Sequence, residues 1–132
     1  MILRMKRIYD EANDADGYRI LVDRLWPRGI TKEKAKIDYW AKEITPSTEI
    51  RKTFKHEAER FEDFRNAYLY ELDNNVHAGA FLTLIIEKLK FSNVTLLYAA
   101  KDEKINHVVV LKDWIEENLW LIPQTPIIIT EL

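Results

Sequence analysis

The sequence YRILVDRLWPRG, Tyr18–Gly29, decides the fold that we expect for this chain. Its first half, through Val22, is almost continuously apolar and predicts a buried β-strand. Its second half places Arg24, Trp26 and Arg28 around a Pro-Arg-Gly turn. Arginine is buried at low cost only when it is paired or faces an anion. The end of this strand is therefore our first candidate for a functional site.

Length and composition limit the classes of protein to consider. The chain has 132 residues, 47% hydrophobic and 32% charged, which is typical of one soluble globular domain. Its apolar runs are shorter than the ~20 residues that span a bilayer, and the N-terminal segment lacks the apolar core of a secretory signal. Cysteine is absent, so disulfides and thiolate chemistry are excluded. We therefore expect a cytoplasmic protein, one domain over residues 1–132, without membrane contact.

The charge balance does not favour nucleic acid as a partner. The chain carries 20 basic and 22 acidic residues, a net charge of −2. Its three glycines do not form a Gly-rich phosphate loop, and its three histidines lack the spacing of metal ligands. We expect neither a cofactor nor a metal ion.

Apolar patterns predict four strands and a further strand-like segment, Ile127–Ile129, in the tail; the pairing of the first two strands is open. The loop between these two is too short for a crossover helix, which favours antiparallel pairing. A parallel pair with a degenerate crossover is the alternative. The last strand, with the sequence VTLLY, has the apolar run of a central strand that is covered on both faces. The predicted strands are Lys6–Tyr9, Tyr18–Asp23, Ile37–Ala41 and Val94–Tyr98.

Capping residues and helical periodicity predict the helices between and after these strands. The predicted helices are a short one from the Thr31 cap through Lys36, one to about Phe54 that is capped by Thr45 or Ser47, one over Ala58–Asn74, one over Phe81–Lys90, and one from the Asn106 cap to about Asn118.

This alternation predicts an α/β fold, specifically a three-layer sandwich. We expect a mostly parallel central sheet of about four to five strands with helices on both faces. Ligands of such sheets bind beyond the carboxyl ends of the strands. That rule would bring the loops Asp23–Gly29 and Tyr98–His107 together.

Two interpretations of the arginines in the first loop remain open. In the functional one, Arg24 and Arg28 form a fork that holds phosphate, carboxylate or sulfate, and Trp26 stacks on the ligand. In the structural one, they form salt bridges, for example to Asp23 or Asp38.

His107 is the candidate catalytic residue of the second loop. It lies one residue beyond the predicted cap, where the helix start attracts anions and favours neutral imidazole. It is suited to general acid–base catalysis or to donating a hydrogen bond to an anion. The alternative is a histidine that only satisfies loop backbone. The further ligand-binding candidates here are Tyr98, Lys101, Asp102 and Asn106.

Three motifs, DRLWPRG, STEIRKTF and LLYAAKDEKINHVVVL, make the chain resemble the YeaO-like family. This is a bacterial and archaeal family among the domains of unknown function, number 488. The resemblance covers about Lys6 to Asn118, and residues 118–132 form a C-terminal tail outside it. It implies a compact α/β domain and a cytosolic protein, without an established activity.

The chain departs from a related branch of the larger family in the second loop. That branch begins the loop with Cys-Ala-Glu and ends it with Cys-His-Arg, whereas Tyr98 and Asn106 stand here at the two cysteine positions. A thiol redox or metal role is therefore not carried over. The loop residues that persist are Lys101, Asp102 and His107.

Two hypotheses about function follow. In the first, the chain is an enzyme, or a degenerate enzyme, that binds a small phosphorylated or nucleotide-like anion. In the second, it is a non-catalytic interaction module whose apolar tail, Trp120–Leu132, docks a partner or a second copy. Residues Ile127–Ile129 would then add a strand at a sheet edge.

Overall fold

The computed structural model describes residues 1–55 and 57–121. Its four strands form one sheet in the order β1-β4-β2-β3, and every neighbouring pair is parallel. The predicted single-domain α/β fold with a sheet of four to five strands is thereby confirmed. The strands are β1 (Leu3–Arg7), β2 (Tyr18–Leu21), β3 (Tyr39–Trp40) and β4 (Val94–Tyr98).

Local capping signals place the helices close to where the sequence predicts them. Thr31 accepts a hydrogen bond from the Lys34 amide, and Ser47, rather than Thr45, accepts one from the Ile50 amide. The helix predicted over Phe81–Lys90 begins earlier, at Ala78, so that Gly79 lies inside it. The helices are α1 (Lys32–Ala35), α2 (Thr48–Phe54), α3 (Phe61–Asp73), α4 (Ala78–Leu89) and α5 (His107–Leu121).

The antiparallel pairing expected for the first two strands is wrong. β4 lies between β1 and β2 and pairs in parallel with both. The connection from β1 to β2 has only a short 3-10 turn, Asp14–Asp16, in place of a crossover helix. An extended segment rises about 3.3 Å per residue, so a short loop can return along a five-residue strand.

A buried ionic cluster lies where that connection meets the sheet. Asp16 has no exposed surface, and its carboxylate contacts Arg19 Nη1 at 2.5 Å and Lys6 Nζ at 3.1 Å. Thr95 donates a hydrogen bond to the Asp16 carbonyl at 2.7 Å. Lys6, Arg19 and Thr95 lie on one face of the sheet by register and strand alternation. The Asp16 carboxylate therefore neutralises the two cations of this face that it contacts.

The apolar core divides between the two faces of the sheet. The larger cluster joins Ile20 and Leu96 to side chains of α2–α5. The smaller one joins Leu21 and Leu97 to Ala35 of α1 and to the loop after β2. The expected three layers remain a prediction, because the second face carries so little helix.

The end of α5 differs from its prediction, and the predicted strand of the tail is not tested. α5 continues to Leu121, beyond the predicted end near Asn118. Residues 122–132, with the predicted strand Ile127–Ile129, lie outside the described residues. Within the described part of the chain, no helix is both long enough and apolar enough to cross a membrane.

Candidate anion-binding cleft

An open cleft of about 960 Å³ lies beyond the carboxyl ends of the strands. Tyr9 reaches it from the end of β1, Asp23–Arg28 from the end of β2, and Lys101 and His107 from the loop after β4. These segments meet because β4 is the neighbour of both other strands. The loops after β2 and β4, which were predicted from the sequence to converge, therefore line one surface.

Asp23 joins the two loops through its carboxylate. Oδ2 accepts a hydrogen bond from the Ala99 amide at 2.8 Å, and Oδ1 lies 3.2 Å from His107 Nε2. The same ring nitrogen lies 2.9 Å from the Val22 carbonyl oxygen. Asp23 and His107 thus fix the spacing of the loop after β2 and the loop after β4.

The contact with Val22 restricts the chemistry of His107. A carbonyl oxygen only accepts hydrogen bonds, so Nε2 carries a proton and donates it there. In this arrangement Nε2 is a donor that is engaged by backbone. The observed contact matches the structural alternative, a histidine that satisfies loop backbone.

Removal of the Asp23 carboxylate is expected to loosen both loops. In Asp23→Ala the Ala99 amide loses its acceptor and His107 loses a partner, which should cost about 1–3 kcal/mol of the free energy of unfolding. Urea denaturation gives the cost, and amide hydrogen exchange at Ala99 locates it. Asp10→Ala, at an exposed aspartate, is the control, and equal losses in the two variants would contradict the role of Asp23.

Arg24 and Arg28 are exposed and line the cleft. Within residues 1–55 and 57–121 neither guanidinium has a hydrogen bond or an ion pair. Among the described residues, neither arginine pairs with Asp23 or Asp38: Asp23 lies against His107, and Asp38 accepts from the Arg19 amide.

Trp26 holds the turn that carries these arginines. Its indole Nε1 donates to the Ile30 carbonyl at 2.8 Å, and its ring meets Trp40 edge-on with centroids 5.5 Å apart. The Tyr9 hydroxyl donates to the Arg28 carbonyl at 2.8 Å. The turn is thus anchored by backbone contacts, which leaves its guanidinium groups available to a ligand.

A second group of cations lines the same cleft. Arg51 and Lys52 come from α2, and Lys101 follows β4. Among the described residues, the Arg51 guanidinium makes a single long contact, of 3.4 Å, with the Thr48 hydroxyl. Sequence reasoning missed Arg51 and Lys52, although both lie in the STEIRKTF motif. Their neighbouring positive charges were the available signal.

The two carboxylates of the cleft are already engaged. Asp23 is bound as described above. Asp102 Oδ1 accepts hydrogen bonds from the amides of Ile105 at 2.9 Å and Lys104 at 2.8 Å. These bonds lower the pKa of Asp102 below its usual value, so it stays ionised. The remaining charge of the lining is positive.

Tyr98 and Asn106, two predicted ligand-binding residues, do not line the cleft. Tyr98 is 2% exposed and belongs to the core, and burial together with the charge of Glu103 raises the pKa of its phenol. Asn106 is fully buried and caps α5, because its Oδ1 accepts from the Val109 amide and its Nδ2 donates to the Asp102 carbonyl. Both predictions are corrected, since packing and capping occupy these side chains.

Arg7 is a positioning residue that sequence reasoning also missed. It ends β1, and its guanidinium donates to the carbonyls of Ala100 at 2.9 Å and Ala99 at 3.0 Å. It therefore holds the start of the loop that carries Lys101 and Asp102.

Comparison with known proteins assigns the chain to a family. The family described as the inactive DUF488-N3 subclade matches residues 2–122. The chain belongs to this family. The family resemblance inferred from three motifs is confirmed, and the match extends beyond both ends of the resemblance.

Bacterial relatives of this family cover most of the chain. The uncharacterised protein YeaO of Escherichia coli K12 is 50% identical over 115 residues, 87% of this chain and 97% of its own length. Uncharacterised proteins of Mycobacterium bovis and Mycobacterium tuberculosis H37Rv are each 36% identical over 109 residues, 83% of this chain and 89% of theirs. No solved structure matches the chain.

Proposed function

We propose that this chain is a degenerate enzyme, a non-catalytic domain that binds a small anionic ligand in the cleft. The observation that carries the proposal is the set of cations that line it together. They are Arg24, Arg28, Arg51, Lys52 and Lys101.

The electrostatics support an anion more than any other small ligand. The protein as a whole is slightly acidic, with a net charge of −2. Basic residues nevertheless predominate in the cleft, where Asp23 and Asp102 already accept hydrogen bonds from backbone amides. Unpaired guanidinium groups bind phosphate or carboxylate through charge-assisted, frequently bidentate hydrogen bonds. A bound anion would therefore supply the partner that Arg24 and Arg28 lack within residues 1–55 and 57–121.

Two observations support binding without catalysis. The Nε2 atom of His107 is committed to Val22, so the predicted catalytic residue has lost one of its two nitrogens to backbone. The family is described as an inactive subclade. We therefore assign His107 to holding the loops, and the cations to holding the ligand.

Loss of the arginine pair is expected to weaken anion binding. Each hydrogen bond to a charged group contributes about 1.5–3 kcal/mol, so Arg24→Gln or Arg28→Gln should raise the Kd for pyrophosphate about 10- to 100-fold. Isothermal titration calorimetry at low salt measures this. A wild-type thermal shift should accompany binding, because a ligand at 100 times its Kd adds about 2.7 kcal/mol of stability.

Lys34→Gln is the matched control, because Lys34 is an exposed cation of α1 outside the cleft. Its affinity should equal that of the wild type. Equal affinities in all variants would overturn the proposed site. Hydrolysis of pyrophosphate by the purified protein would overturn the non-catalytic assignment.

A further inference from the structure

The cleft has an apolar interior as well as a basic border. Its floor includes Phe54 and Phe64, which are each 4% exposed and whose rings stack with centroids 4.5 Å apart. Ile105, Pro46 and Leu25 add apolar surface to the walls. The cations, by contrast, are exposed and therefore lie toward solvent. The aromatic floor and the exposed cations thus occupy different depths of one cavity.

Leu25 is the least expected part of this lining. It is 74% exposed, although it lies between the cation Arg24 and the half-buried Trp26. A single exposed leucine is ordinary on a protein surface. This one lines the cleft beside the arginines, so a ligand that contacts Arg24 also lies within reach of an apolar wall.

An inorganic anion or a sugar phosphate would contact the basic part of the cleft but would not match its apolar part. Its charge would meet the cations, but the apolar lining would stay in contact with water or with hydroxyl groups. Transfer of apolar surface out of water contributes about 25 cal/mol per Å², so an apolar group attached to the anion gains affinity from the floor and walls. The volume, about 960 Å³, is within the range of small-molecule sites.

We propose that the ligand is an amphiphilic organic phosphate, with an anionic group held by the cations and an aromatic or apolar body in the interior. This inference rests on the proposed function and decides between its ligand classes. It favours a phosphate with an aromatic body over a sugar phosphate. Charge and apolar contact are then both required for tight binding.

Three probes separate the contributions of charge and apolar contact. Phenyl phosphate and ribose 5-phosphate carry the same phosphomonoester on an aromatic and a polar body, and phenol has the aromatic body without the charge. Phenyl phosphate should bind about tenfold or more tightly than either, on the basis of the buried ring. 1-Naphthyl phosphate, with a larger ring system, should bind more tightly still. Calorimetry at constant pH and salt gives the four affinities.

Leu25→Gln tests the apolar wall without disturbing the core, because Leu25 is largely exposed. The variant should weaken phenyl phosphate binding severalfold and leave ribose 5-phosphate unchanged. Val76→Gln is the matched control, since Val76 is 89% exposed and lies outside the cleft. It should bind all probes as the wild type does.

The outcomes distinguish this inference from the function on which it rests. Equal affinities for phenyl phosphate and ribose 5-phosphate, both lost in Arg28→Gln, would overturn the amphiphilic ligand and leave anion binding intact. Binding of phenol as tight as that of phenyl phosphate would overturn both. Failure of every probe to bind, while pyrophosphate still binds, would overturn the amphiphilic ligand alone; failure of pyrophosphate as well would overturn both.

Discussion

Replacement of Gly17 by alanine is expected to prevent normal folding or to lower the free energy of unfolding by about 3–5 kcal/mol. Gly17 has φ 64° and ψ −127°, a backbone conformation that essentially only glycine adopts. A Cβ atom there would lie 2.1 Å from the Asn93 carbonyl oxygen. The new side chain therefore adds a collision to the backbone strain.

The collision cannot be relieved by a small movement of Asn93. Its carbonyl accepts the Tyr18 amide at 2.8 Å, and its side chain bonds the Ile2 amide and the Ala15 carbonyl, both at 2.9 Å. A shift large enough to admit a methyl group would disturb the pairing of β1 and β2 with β4. The cost therefore falls on the sheet itself.

The other two glycines provide graded controls. Gly29→Ala, at φ 74° with open space around it, should cost about 1–2 kcal/mol from backbone strain alone. Gly79→Ala, inside α4 with open space, should stabilise the helix by about 0.5–1 kcal/mol. Thermal and urea denaturation of the three variants rank their stabilities. A Gly17→Ala protein as stable as Gly29→Ala would contradict the proposed close approach.

Neutralisation of Asp16 is expected to be the most costly change of charge in the described chain. Asp16→Asn would leave the Arg19 guanidinium, which is 4% exposed, without its counter-charge. Removal of one partner of a buried ion pair typically costs about 3–5 kcal/mol. Arg19 also donates to the Ala35 and Lys36 carbonyls at the end of α1, so β2 and α1 should loosen together.

The pH dependence gives an independent measurement of the same pair. Burial by itself raises the pKa of Asp16, but hydrogen bonds from the Asn13 amide, Lys6 and Arg19 and the charge of Lys6 outweigh it and lower the pKa below its ordinary value of 3.8. A lowered folded-state pKa contributes stability that is complete above the unfolded-state value and is lost as the pH falls through the folded-state value. The difference in unfolding free energy between wild type and Asp16→Asn should therefore shrink as the pH falls below about 4.

The exposed pair Arg65–Asp113 provides the control. Its partners are 3.1 Å apart, with 30% and 52% of their side-chain surfaces exposed. Asp113→Asn should change the free energy of unfolding by less than about 1 kcal/mol. The role proposed for the buried carboxylate would be wrong if Asp16→Asn lowers the free energy of unfolding no more than Asp113→Asn does. It would also be wrong if the loss in Asp16→Asn is the same at neutral and acid pH.

Short-range signals predicted most of the elements of this fold. The run VTLLY identified β4 because a strand buried on both faces needs a nearly continuous apolar sequence. Thr31 and Asn106 were predicted as caps because a side-chain oxygen bonds an amide only a few residues away. The bounds of β1 were predicted too late in the chain: the strand covers Leu3–Arg7 instead of Lys6–Tyr9. Its mixture of polar and apolar residues gives no clear signal for where it starts.

The candidate site was predicted in part, and the residues that were wrongly assigned or missed are those whose position depends on tertiary packing. The loops after β2 and β4 were expected to meet from a general rule for parallel sheets, and their cations and His107 do line one cleft. Tyr98 was misassigned because its direction depends on the alternation of β4, which places it with Leu96 in the core. The α2 cations were missed because they reach the cleft only through the packing of α2 against α3.

By itself the sequence determined the α/β class, the positions of the caps and the family, because these follow from apolar runs, neighbouring residues and motifs that need no knowledge of distant contacts. Only the tertiary structure decided that β4 separates β1 from β2, that Asp16 pairs with Arg19, and that α2 completes the cleft. Each of these depends on which surfaces bury each other, and burial is a property of the whole folded chain rather than of any one segment.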